Sequence, residues 1–97
     1  MSAFILYPNG VRQDVSPSPR GNELNPKTFT LEEMQNFVGG YIEVISLGDD
    51  VYMIVDEEGK LKGKYVNRQA TKIFNKYTKT LDFIVGTVLI CTTDMVE

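Results

Sequence analysis

The spacing of apolar residues changes several times along the chain, and each change marks an element. Phe4-Ile5-Leu6-Tyr7 is a short, β-rich apolar run and predicts a strand. Pro8-Asn9-Gly10 supplies turn chemistry, because Gly10 or Asn9 takes positive φ at little cost. Residues 11–15 return as a second strand. Pro17, Pro19, Gly21 and Pro26 then crowd a short stretch and predict a surface loop over about 16–28. Thr30 with Glu33 three residues on is a capping box, so a helix starts there. Leu31, Met34, Phe37 and Val38 recur at helical spacing, and Gly39 supplies the left-handed stop.

The second half reads as a hairpin, a helix and a closing strand. Residues 41–47 and 51–55 are strands joined by a three-residue loop, Gly48-Asp49-Asp50. Asp56-Glu57-Glu58-Gly59 is a further turn, and residues 60–66 would add a short extended segment. Asn67 caps a second helix from residue 68 to about 77. The last strand, 82–91, carries apolar residues on both faces, which marks a central strand covered on both sides. Gly86 inside it signals a bulge or a close backbone approach. The order β-β-α-β-β-(β)-α-β predicts an α+β fold. It is a mainly antiparallel sheet of four to six strands with two helices packed on one face. A ferredoxin-like core is the nearest arrangement. The whole chain, 1–97, makes one domain.

Composition removes most chemistry. The chain has no His and a single Cys, so the commonest general base and metal ligand is missing and no thiolate zinc cluster is available. Cys91 lies in an apolar strand with no base beside it in the sequence. Gly59 to Tyr65 is one spacer short of a phosphate loop, with Tyr65 where a magnesium-binding hydroxyl belongs. Asp49-Asp50 and Asp56-Glu57-Glu58 would form a weak divalent site only if both turns lay at one end of the sheet. The expectation is no enzyme activity, no catalytic residue, no metal and no cofactor. The short apolar run at 3–7 has no basic residue before it, and no stretch is long enough to span a bilayer. A soluble, cytoplasmic protein with no membrane partner is expected.

Charge changes the picture most. Lys60, Lys62, Lys64, Arg68, Lys72, Lys76 and Lys79 fall between residues 60 and 80 with no acid among them. The rest of the chain sets three cations against all 13 acids, so a net charge of −3 conceals a polarised molecule. On the second helix Ala70, Ile73, Phe74 and Tyr77 share one face, and Arg68, Lys72 and Lys76 form a basic ridge opposite. Surface helices usually mix signs, and this one does not. The ridge is a candidate surface for a host protein or a small anionic ligand, with nucleic-acid phosphates as the alternative. A merely solvated face is the competing account.

The run Thr30-Leu31-Glu32-Glu33-Met34-Gln35-Asn36-Phe37-Val38-Gly39-Gly40-Tyr41-Ile42-Glu43-Val44 resembles the signature of a family of small bacterial and phage proteins known as domain of unknown function 3846. An acidic hairpin, Asp56 to Gly63, Asn67 with Ala70, and Ile84-Val85-Gly86 extend the likeness. It covers residue 30 to about 70 and the last strand, with the Pro-rich loop as a departure outside the shared part. The resemblance implies occurrence on phages, plasmids and conjugative elements, as an accessory module of unknown biochemistry. It carries no assigned site residues. The Gly39-Gly40-Tyr41 junction with Glu43 is a second candidate ligand position, at a helix-to-strand turn.

Overall fold

A computed structural model describes residues 3–97. Five strands form one sheet: β1 (Ala3–Leu6), β2 (Arg12–Val15), β3 (Ile42–Gly48), β4 (Val51–Asp56) and β5 (Val88–Thr92). Their order across the sheet is β2-β1-β5-β4-β3, and every pairing is antiparallel. Two helices, α1 (Leu31–Val38) and α2 (Arg68–Thr78), complete an α+β fold, and a short 3-10 turn follows at Thr93–Met95. The strand that alternates least in polarity, β5, is the middle one, as its two apolar faces require.

The two helices lie on opposite faces of the sheet, not on one. Leu89 and Cys91 of β5 and Ile54 of β4 pack with Met34 and Val38 of α1. Val88, Ile90, Met53 and Val55, one residue out of phase, pack with Ala70, Ile73 and Phe74 of α2. Side chains alternate across a sheet, so each strand feeds both cores. This arrangement departs from the ferredoxin-like expectation. It also supplies the cover that a doubly apolar β5 needs. Tyr77, placed by its spacing on the apolar face of α2, is about half exposed, and so is Leu31 of α1.

Local chemistry fixes the helix ends. The Glu33 N–H donates to Thr30 Oγ1 at 3.0 Å and the Thr30 N–H donates to Glu33 Oε1 at 2.9 Å, which closes the capping box. Phe29, just ahead of the cap, is fully buried with Met34 in one cluster and stacks edge-on against Phe37 at 5.6 Å. The Phe29–Met34 pairing is a hydrophobic staple fixing the entry of α1. Asn67 caps α2 through the Ala70 N–H at 3.1 Å.

Three expected boundaries move. The β3–β4 connection is a two-residue turn, with Asp49 and Asp50 both at positive φ and a register shift between Ser46 and Gly48. Residues 60–66 form no strand. They curl through successive turns in which Lys62 donates to Glu58 O, Gly63 to Lys60 O and Lys64 to Gly59 O. Only the first half of the expected last strand departs from the sheet. There Gly86 donates to Tyr65 O and Ile84 O accepts from Asn67, so residues 84–86 pair with the chain entering α2. The loop over 16–28 is tied down. The Arg20 guanidinium reaches Thr28 O and Glu97, and the Ser18 N–H donates to Glu33.

Candidate functional site

The basic run divides into two parts with different surroundings. Lys60, Lys62 and Lys64 each pair with a carboxylate, Lys62 and Lys64 with a buried one and Lys60 with one at the surface. Asp56, at the end of β4, has a side chain only 1% exposed, with Lys64 Nζ at 2.7 Å and Lys62 Nζ at 2.9 Å from the same oxygen. Its other oxygen accepts from the Glu58 N–H at 2.9 Å. Burial pushes the Asp56 carboxyl up. The hydrogen bonds from Lys64, Lys62 and Glu58 outweigh that and hold its pKa at about 2. The two ammonium groups also donate to the end of α1, Lys64 to Val38 O at 2.7 Å and Lys62 to Gly39 O at 3.3 Å. Cations at the carbonyl end of a helix oppose its dipole favourably. Lys60 pairs with Asp82 at 2.8 Å and sits 4.2 Å above the Phe83 ring.

This cluster explains the Gly39-Gly40 pair. Gly39 takes φ 81° to end α1. A Cβ on Gly40 would fall 2.6 Å from Lys62 Nζ and 2.8 Å from Asp56 Oδ1, so a side chain there would displace the ion pair. Gly39, Gly40 and Tyr41 do line a concavity of about 400 Å³, with Lys62 and Glu58. Glu43 does not join them. It lies toward α2, in a separate cleft of about 320 Å³ with Lys60, Phe74 and Phe83. The second candidate position is therefore split, because Glu43 sits in the β3 register opposite Val55, on the α2 side of the sheet. The two acidic turns are also apart. Asp49 and Asp50 precede β4, and Asp56 ends it with Glu57 and Glu58 just beyond, so they stand at opposite ends of one strand. Among the described residues no group of three or more acids, His or Cys is placed to hold a metal ion. Cys91 is buried, and that burial, with the Asp94 charge, raises its pKa to about 11.

Arg68, Lys72, Lys76 and Lys79 differ. All four are exposed, and none forms an ion pair among the described residues. Lys79 ends α2 in the left-handed conformation. At the head of this ridge lies a slot of about 560 Å³ lined by Tyr7, Pro8, Asn9, Tyr65, Val66 and Arg68. Its walls are held together. Asn67, fully buried, donates to Leu6 O at 3.0 Å and Gly86 O at 2.9 Å, and Gln69 donates to Gly10 O at 3.3 Å. In the sequence Tyr65 is only a misfit in a phosphate-loop pattern, yet in the fold its side chain is almost fully exposed.

A family model described as Domain of unknown function (DUF3846) matches residues 11–97. The chain belongs to that family. The DUF3846 match runs across the Pro-rich loop, so that loop lies within the family's span and not outside it. No curated protein matches the chain, and no solved structure does. The residues that carried the resemblance converge in space: Gly39, Gly40 and Asp56 surround the Lys62–Lys64 pair, Gly59 packs against Asp56 and Val85, and Asn67 meets Gly86. In this DUF3846 chain the signature therefore builds the polar cluster that joins α1 to the turns after β4.

Proposed function

We propose that this protein is a non-enzymatic binding module, acting in the cytoplasm, that engages an anionic partner through the outer face of α2. The observation that carries this reading is the division of the basic run. Three of its cations pair with two carboxylates, Asp56 and Asp82, and the four on α2 and its C-cap face solvent without a carboxylate partner among the described residues. A like-charged row on a helix costs a few tenths of a kcal/mol per pair, so it is a feature the fold itself does not favour. An anion bridging Arg68, Lys72 and Lys76 would remove that repulsion. The occurrence on phages and plasmids that the family resemblance implies makes a host component the natural partner.

The test is fluorescence anisotropy with labelled poly-glutamate at low salt. Binding is expected for the wild type and lost in the double variant Lys72→Glu, Lys76→Glu. The control Arg12→Glu with Lys27→Glu changes net charge equally and should leave binding intact. Equal loss in both double variants would reduce the effect to net charge and refute the reading.

A further inference from the structure

The ridge does not begin on bare helix. It begins at the slot, and Tyr65 stands at the edge of it, 85% exposed. The same residue lines a second concavity of about 400 Å³, with Pro8, Lys64 and Thr87. An aromatic side chain this exposed is free to stack on a planar group. Val66 beside it is half exposed, so the slot is mainly apolar and aromatic, with the Asn9 amide and a single guanidinium, Arg68, as its polar groups. From Arg68 the cations continue along α2 at four-residue steps, each a rise of about 6 Å. That step suits successive phosphates of an extended strand.

We infer that this surface binds single-stranded nucleic acid, with a base stacked on Tyr65 in the slot and the following phosphates on Arg68, Lys72 and Lys76. The inference rests on the anion-binding reading of α2 and deepens it by naming the partner. A stacking platform beside a cationic track is the combination that holds single strands without reading sequence. A duplex keeps its base faces hidden and would leave Tyr65 without a partner. An acidic protein would engage the ridge and leave the slot idle. The slot is already in shape for a ligand, because Asn67 and Gln69 fix the β1–β2 turn against the head of α2. Less ordering on binding means more of the contact energy appears as affinity.

The experiment is anisotropy of labelled octathymidylate, with the wild-type chain, across a salt series. Binding is expected with a log–log salt slope of about −2 to −3, from three or four neutralised phosphates. Tyr65→Ala, a change at an exposed position, should weaken it at least about fivefold without altering the slope. Tyr65→Phe should keep the affinity. Lys72→Glu with Lys76→Glu should weaken binding and flatten the slope. Three results would overturn the proposal: indifference to Tyr65→Ala, a duplex of the same length bound as tightly, or thymidine monophosphate bound as tightly as the octamer. Poly-glutamate bound while octathymidylate is not would sink this inference and leave the anion-binding reading standing. Neither polymer bound would end both.

Discussion

Residues 60–64 and residues 68–79 carry the same kind of charge within one short stretch, and the fold treats them in opposite ways. The first group turns back on itself and gives its lysines to Asp56, Asp82 and the carbonyl end of α1. The second rides on a helix whose other face packs on the sheet through Ala70, Ile73 and Phe74, so its cations are held outward. The lesson is that a run of like charge is not one feature. A lysine within reach of a buried carboxylate belongs to the fold, and one fixed on an outer helix face is available to a partner.

The largest way to break that contrast is to remove the inward lysines. Lys62→Ala with Lys64→Ala leaves Asp56 buried with its charge uncompensated and should cost about 3–5 kcal/mol in chemical denaturation. Asn67→Ala cuts between the two groups. It removes the α2 cap and strips two carbonyls, Leu6 O and Gly86 O, of their donor, so a loss of about 2–4 kcal/mol is expected by the same measurement. Gly40→Ala pushes a methyl into the Asp56–Lys62 pair and should cost about 1–3 kcal/mol.

Acid titration sharpens the same point. The Asp56 pKa is depressed to about 2 from an ordinary value of 3.8. A depressed carboxyl adds stability above its unfolded value, and that stability fades as pH falls from about 4 through about 2. The contribution is about 2 kcal/mol. Urea midpoints measured down this range should fall for the wild type, and Asp56→Asn should flatten that part of the profile.

Much of the fold was legible because local chemistry decided it. The capping box at Thr30, the Asn67 cap, the Gly39 stop and the central place of β5 all follow from neighbours in sequence. The opposite placement of the helices was legible only in part. Apolar residues on both faces of β5 demanded two covers, and nothing local said which helix supplied which. Residues 60–66 curl although their spacing predicts an extended segment, because Lys62 and Lys64 are drawn to Asp56, whose burial depends on contacts made elsewhere in the chain. The sequence marks Tyr65 only as a residue that breaks a phosphate-loop pattern, for a similar reason. Its significance comes from Pro8 and Arg68 standing beside it, and only the folded chain brings Pro8 there. Glu43 was grouped with Gly40 by sequence proximity, which strand alternation undoes.

The smallest expected effect is the most direct test of the division itself: urea unfolding of Lys72→Ala with Lys76→Ala at low salt. If the ridge takes no part in holding the fold, stability should stay within about 0.5 kcal/mol of wild type and can even rise as like-charge repulsion is relieved. A loss comparable to that of the Lys62→Ala, Lys64→Ala variant would show that the outer cations hold the fold too, and would contradict the account.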